Sequence, residues 1–147
     1  MDIDEFARLR PYLFHLTAQE NLPRILRTRR LDSASHLLGA SGSGHLQGVR
    51  RASHCRIVLD GEAVCVRDQA PLHAGNIAFA RGWSFASFVE ALNARVFFWP
   101  GGGGGPIAYG VRHFERYSGE RPVVLRLQTA TLLTGGGAAP EFCRYNS

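Results

Sequence analysis

Short blocks of apolar residues, separated by polar and glycine-rich stretches, follow one another along the chain. Blocks with apolar residues three or four positions apart predict helices, whereas compact apolar runs predict strands. The predicted helices lie at residues 1–10, 21–30, 31–38, 77–80, 84–93 and 107–117. The predicted strands lie at residues 12–17, 56–59, 63–67, 95–99 and 121–128. Because helices and strands are mixed without strict alternation, the pattern predicts an α+β fold.

Polar residues mark the ends of several of these elements. Thr17 and Glu20 have the spacing of a capping box, in which each side chain bonds the other residue's backbone amide, and they predict the start of the second helix. Asp60 followed by glycine predicts a two-residue hairpin turn. Ser84 is a favourable N-cap for the helix that follows it.

Two glycine runs interrupt the second half of the chain. Pro100 and the five glycines of residues 101–105 predict a flexible connector, and residues 135–137 predict a second hinge. Neither run has the spacing of a dinucleotide fingerprint or of a phosphate-binding loop. The glycines therefore predict flexibility, and they do not identify a nucleotide site.

The composition suits one domain that spans residues 1–147. All 17 basic residues are arginines, so a Schiff-base lysine and a phosphate-loop lysine are both excluded. The net charge of +5 favours an anionic partner. No apolar run is long enough to cross a bilayer, and the acidic residues 1–6 do not resemble a secretory signal. We therefore expect a soluble, cytoplasmic protein without a membrane partner.

The cysteines and histidines show no spacing of their own that predicts a metal site. Cys55, Cys65 and Cys143 are odd in number and form no C-x-x-C pair, so we expect buried, reduced thiols. The six histidines are scattered along the chain. The sequence also lacks a nucleophile-elbow motif and a neighbouring Cys–His pair.

The most informative segment is the strand that contains His15 and Thr17. Two residues apart on a strand, their side chains point to the same side. The N-terminus of the following helix would supply N–H groups for an anion or a ribose. Residues 12–26, which read Tyr-Leu-Phe-His-Leu-Thr-Ala-Gln-Glu-Asn-Leu-Pro-Arg-Ile-Leu, resemble the opening of the DarT-like ADP-ribosyltransferases and of a related uncharacterised bacterial family.

Two later segments resemble the same group in the same order. Residues 64–72, which end in Val-Arg-Asp-Gln-Ala-Pro-Leu, are similar to the loop after the first module. Residues 93–99, the glycine run and the helix that begins Ile-Ala-Tyr109 are similar to the second core strand and its following helix. The resemblance covers most of residues 12–133. It implies a split, twisted, antiparallel or mixed β-sheet with flanking helices and an NAD-binding cleft between its halves.

The resemblance also implies which residues would bind NAD as a co-substrate. In such transferases the histidine of the first strand bonds the adenosine ribose, which points to His15. The threonine that follows, here Thr17, holds the nicotinamide amide through its side chain or its backbone. Aromatic residues after the second core strand stack on nicotinamide, and Phe98 and Tyr109 are the candidates.

A cation and an acid would complete the implied catalytic set. An arginine of the first half contacts the NAD phosphates or assists catalysis, with Arg67 as the first choice and Arg51 as the second. A late glutamate stabilises the oxocarbenium-like transition state, and Glu141 is the one acid after residue 120. Gln128 and Asn146 are the polar alternatives.

These residues lead to three functional hypotheses. The first is an ADP-ribosyltransferase that modifies a nucleobase in DNA or RNA, and the group it resembles includes toxins with an antitoxin or immunity partner. The second is an RNA 2′-phosphotransferase-like enzyme, which needs no late glutamate. The third is a non-catalytic module that binds NAD or ADP-ribose.

Overall fold

The structure is a computed structural model that describes residues 2–135 and 139–143 of the chain. The helices are α1 (Ile3–Leu9), α2 (Leu22–Thr28), α3 (Ala34–Ala40), α4 (Phe85–Asn93), α5 (Ala108–Arg116) and α6 (Thr129–Thr134). The strands are β1 (Tyr12–Thr17), β2 (Cys55–Leu59), β3 (Glu62–Val66), β4 (Trp99–Gly102), β5 (Gly105–Pro106) and β6 (Val123–Gln128). The predicted α+β class is confirmed.

The strands form two separate sheets. One has four strands in the order β5-β4-β1-β6, and the other is the β2–β3 hairpin. β1 and β4 are antiparallel, with Tyr12 opposite Gly101 and Phe14 opposite Trp99. The β2–β3 hairpin is also antiparallel and turns at Asp60-Gly61, where both residues have a positive φ, as the sequence predicts.

The chain divides into two compact units. The first unit consists of Met1–Leu16 and Phe98–Ser147, so it is discontinuous in sequence. The second unit is the continuous segment Thr17–Phe97. The four-stranded sheet belongs mainly to the first unit and the β2–β3 hairpin to the second.

The core of the second unit forms where α3 packs on the hairpin. The side chains of this core are nearly inaccessible to solvent: Leu38, Ile57, Leu59, Val64 and Val66. α4 also buries Val89 and Asn93 completely or nearly so. Ser84 caps α4 by accepting a hydrogen bond from the Ser87 amide, which confirms the predicted N-cap.

The first unit is built around β1. This strand buries Leu13, Phe14 and Leu16, and Thr129 at the start of α6 is fully buried. The Thr129 amide donates to the carbonyl of Pro11 at 3.0 Å, and its hydroxyl donates to the carbonyl of Arg10. These bonds join the two sequence segments of the unit.

The predicted strand and connector around Pro100 are wrong. Residues 95–98 are not in a strand; the strand begins at Trp99 and continues through Pro100 into the glycines. The glycine run forms the hairpin between β4 and β5, with Gly101 opposite Pro106. A Cβ on Gly101 would overlap the Gly105 carbonyl oxygen, so close backbone approach is the physical reason for glycine here.

Two smaller predictions also need correction. Residues 77–80 are not helical, and α3 covers Ala34–Ala40 behind a Ser33 N-cap instead of residues 31–38. The helix α6 has no counterpart in the prediction, and most of the predicted hinge at 135–137 lies outside the described residues.

Candidate functional site

Two of the predicted NAD-binding residues are in contact at the end of β1. The His15 and Phe98 rings lie with their centroids 5.5 Å apart and their planes tilted by 50°. The β1–β4 register accounts for this contact, because Phe14 pairs with Trp99 and the next residues on each side are His15 and Phe98. Both side chains are half-buried. The pair presents an imidazole beside an aromatic ring.

Thr17 does not cap a helix, so the predicted capping box is wrong. Ala18 occupies the N-cap position of a short 3₁₀ turn over Gln19–Asn21, and no side chain caps it. The Thr17 side chain is buried and its hydroxyl accepts a hydrogen bond from Asn21 Nδ2 at 3.1 Å. Thr17 is therefore held by the side chain of Asn21.

Asn21 is a buried residue that sequence reasoning did not single out. Its Nδ2 donates to the carbonyl of Cys65 at 2.9 Å, and its Oδ1 accepts from the Cys65 amide at 2.8 Å. The carboxamide thus pairs with both backbone groups of one residue of β3, as a neighbouring strand would. Its only sequence signal is its place in the Glu-Asn-Leu-Pro segment, since its partner lies 44 residues away.

Arg51, the second-choice phosphate ligand, holds the backbone of the second unit. Its Nε donates to the carbonyl of Arg67 at 2.9 Å, and its Nη2 donates to Asn93 Oδ1 at 3.0 Å. Burial lowers the pKa of the Arg51 guanidinium, because the charged form loses hydration. Its Nη1 is buried and has no hydrogen-bond partner among the described residues.

The first-choice cation, Arg67, lies at the start of a loop that several side chains hold, the 67–70 loop. The Asp68 amide donates to His54 Nδ1 at 3.0 Å, and Asp68 Oδ2 accepts from the Ala70 amide at 3.0 Å. Arg50 Nη2 donates to the Ala70 carbonyl at 2.6 Å. With the Arg51 bond, these contacts give the 67–70 loop one defined backbone conformation.

Asn93 is a second residue that the sequence did not identify. It is 2% exposed, and its Oδ1 accepts from both Arg51 Nη2 and Gln69 Nε2. Its Nδ2 donates to the Gln47 carbonyl at 2.6 Å. A polar residue at the end of the apolar face of α4 is the available signal for such a buried anchor.

Tyr109 and Glu141 are both exposed to solvent. Tyr109 lies in the first turn of α5 with 55% of its surface exposed, and the Arg112 guanidinium carbon is 4.5 Å from its ring centroid. Glu141 is in the segment 139–143, next to Phe142, whose ring packs on Phe6 at 4.8 Å. Of the polar alternatives, Gln128 ends β6 and is exposed, and Asn146 lies outside the described residues.

The three thiols differ in exposure. Cys65 is buried, Cys55 is half-buried and Cys143 is exposed, so the expectation of buried thiols is wrong for Cys143. Burial, and then the nearby Glu20 carboxylate, raise the pKa of Cys65 to about 11. Within the described residues, no group of three or more His, Cys, Asp or Glu could hold a metal ion.

Several basic residues of the second unit form ion pairs with acids. Arg24 Nη1 donates to Asp60 Oδ2 at 2.9 Å, which lowers the pKa of that carboxyl, and Arg27 pairs with Glu62. Arg56 reaches Glu20 at 3.2 Å. The arginine run of α2 is therefore partly tied to the hairpin turn. None of the described helices is long and apolar enough to cross a membrane.

The fold and contacts define an α+β protein of two units. The first unit carries the His15–Phe98 pair on its four-stranded sheet, and the second unit carries the hydrogen-bonded 67–70 loop. The chain belongs to a family of unknown function, DUF7002, whose model matches residues 11–147. The comparisons with curated proteins and with solved structures give no match.

Proposed function

We propose that the protein is an NAD-dependent ADP-ribosyltransferase that modifies a nucleobase in DNA or RNA and releases nicotinamide. The observation that carries this proposal is the contact between His15 and Phe98 at the end of β1. The resemblance of residues 12–26 to the opening of DarT-like transferases assigns the histidine to ribose binding. The ring contact puts a stacking surface next to that histidine.

The proposed NAD contacts follow from the chemistry of each side chain. An imidazole can donate to or accept from a ribose hydroxyl, so His15 suits the adenosine ribose. The rings of Phe98 and Tyr109 suit stacking on nicotinamide. Because the Thr17 hydroxyl is buried and bonded to Asn21, the backbone of Thr17, and not its side chain, would hold the nicotinamide amide.

Between the two arginines, Arg51 is the less suited to the phosphates of NAD. The Arg51 guanidinium already bonds the Arg67 carbonyl and Asn93. Moving it to a ligand would break two hydrogen bonds that hold the 67–70 loop. We therefore assign Arg51 to holding the 67–70 loop and keep Arg67 as the first choice for the ligand.

The transfer step breaks the bond between C1′ of the ribose and the nicotinamide nitrogen, and nicotinamide leaves with the electron pair. C1′ then bonds to the acceptor base, which loses a proton. The developing positive charge at C1′ requires a nearby carboxylate, and we assign that role and the uptake of the proton to Glu141.

The test is nicotinamide release and label transfer from labelled NAD, with and without single-stranded DNA or RNA. We expect His15→Ala to reduce release, and Glu141→Gln to lower the rate by about 100- to 1,000-fold, as loss of one charge-stabilising group does. The matched controls are His73→Ala and Glu115→Gln, which remove an exposed imidazole and an exposed carboxylate. Release that is absent with every acceptor, or that is unchanged in His15→Ala, would overturn the proposal.

A second candidate function is a binding module for NAD or ADP-ribose without transfer. It is favoured by the exposure of Glu141 in a segment outside the helices and strands. Calorimetry with ADP-ribose separates the two functions. Binding that depends on His15, without nicotinamide release, would establish the module and exclude the transferase.

A further inference from the structure

We propose that one flank of α5 binds a single strand of nucleic acid. This flank, the α5 flank, consists of Tyr109, Arg112 and Arg116. It does not include His15 or Phe98, but it shares Tyr109 with the candidates for nicotinamide stacking. The inference does not require that the protein transfers ADP-ribose.

The geometry of α5 places these three side chains together. Positions three and seven residues apart lie on the same side of a helix, and the α5 flank extends over about 10 Å along the axis. All three residues are exposed, whereas Gly110, on the other side of α5, is buried against Trp99. The Arg112 guanidinium lies over the Tyr109 ring, with 4.5 Å between its carbon and the ring centroid.

Within the described residues, no ion pair neutralises the positive charge of the α5 flank. Among residues 2–135 and 139–143, neither Arg112 nor Arg116 takes part in a salt bridge, in contrast to Arg24 and Arg27 of α2. The only acid of α5 is Glu115, which is three residues after Arg112 and therefore its neighbour on the helix, but it forms no salt bridge with Arg112 or Arg116 within the described residues. The α5 flank therefore presents two guanidinium groups to an anionic partner.

The combination of an exposed ring and two guanidinium groups suits a single strand better than other anions. Arginine binds phosphate through its planar fork, and both the ring and the guanidinium stack on nucleobases. A duplex keeps its bases stacked inside, so the tyrosine would contribute little to duplex binding. An acidic peptide would satisfy the charge but would supply no base for the ring.

The experiment is fluorescence anisotropy of a labelled, mixed-sequence oligonucleotide over a range of salt concentrations, in the absence of NAD. DNA and RNA single strands are compared with the corresponding duplex. We expect Tyr109→Ala to weaken single-strand binding by about 5- to 150-fold without changing the salt dependence. Arg112→Gln and Arg116→Gln should each reduce the slope of log K against log salt by about 0.7.

The matched control is Arg126→Gln, which removes a guanidinium that also lies over a tyrosine ring, that of Tyr12 at 4.9 Å. This variant should leave both affinity and slope unchanged. The inference is overturned if Tyr109→Ala binds like the wild type, if Arg126→Gln loses as much affinity as Arg112→Gln, or if polyglutamate competes as well as a single strand. Thermal unfolding of each variant verifies that the fold is retained.

This result is independent of the transferase assay. Single-strand binding that requires Tyr109, found in a protein that releases no nicotinamide, would support the α5 flank and overturn the transferase proposal. Nicotinamide release in a protein that binds no strand would support the transferase proposal and overturn the α5 flank.

Discussion

Asn21→Ala tests whether one side chain holds the outer edge of the β2–β3 hairpin. In the folded protein the Asn21 carboxamide pairs with the amide and the carbonyl of Cys65, at 2.8 Å and 2.9 Å. Cys65 is 3% exposed, so water does not readily replace the lost partner. The substitution leaves a buried donor and a buried acceptor unsatisfied.

The expected cost follows from these two groups. Each buried, unsatisfied backbone group costs about 1–3 kcal/mol, so the free energy of unfolding should fall by about 2–6 kcal/mol. For a chain of this length, that corresponds to a decrease in Tm of about 5–20 °C. Loss of the bond to Thr17 acts in the same direction.

Urea unfolding, followed by circular dichroism, measures the change. The matched control is Gln19→Ala, an exposed residue of the same 3₁₀ turn, which should change stability by less than about 0.5 kcal/mol. If Asn21→Ala is as stable as the control, the carboxamide does not hold β3 and the reasoning is refuted.

The pH dependence of the stability of Asn21→Asp tests the same contact between residue 21 and Cys65. The introduced carboxylate can still accept from the Cys65 amide, but only its protonated form can donate to the Cys65 carbonyl. Its pKa in the folded state is therefore raised above the unfolded value of about 3.9. Since the folded state binds more protons, stability of this variant relative to wild type should rise as the pH falls from neutrality towards about 4.

Two further predictions concern the glycine hairpin and the thiols. Gly101→Ala should lower the free energy of unfolding, measured in urea, by about 1–3 kcal/mol because the added Cβ overlaps backbone atoms. Gly103→Ala should be tolerated because a Cβ there has open space. Equal stability of the two variants would show that the glycines of residues 101–105 form a flexible connector instead of a paired hairpin. With its pKa raised to about 11, Cys65 should resist alkylation at mildly alkaline pH while the exposed Cys143 reacts, as measured by mass spectrometry. The stability that the neutral Cys65 thiol contributes is present below about pH 8.5 and is lost as the pH rises towards 11. Rapid labelling of Cys65 in the native protein would contradict this burial.

Elements with a strong local signal were predictable from the sequence. The Asp60-Gly61 turn and the Ser84 cap depend on residues adjacent in sequence, and both are found where expected. The sequence misplaces the strand near Pro100 because the apolar residues 95–99 predict a strand, whereas the observed strand begins at Trp99. Its true position is set by pairing with β1 and by the close approach of two glycine-rich strands, which are tertiary effects.

The same distinction applies to the site residues. The sequence identified His15 and Phe98, and their contact follows from the β1–β4 register. It could not identify the role of Arg51, whose partners Arg67 and Asn93 lie 16 and 42 residues away. The assigned roles in NAD binding stay predictions until release and binding are measured.

The division of the first unit between the two ends of the chain has a consequence for folding during synthesis. Thr129 bonds the carbonyl of Arg10 across 119 residues, and β1 pairs with β4 only after the whole second unit has been translated. On the ribosome, the segment Thr17–Phe97 is complete first, while Leu13 and Phe14 still lack the strand that covers them. The nascent chain therefore carries an unpaired, apolar β1 until β4 emerges, and a transiently exposed strand of this kind is prone to aggregation.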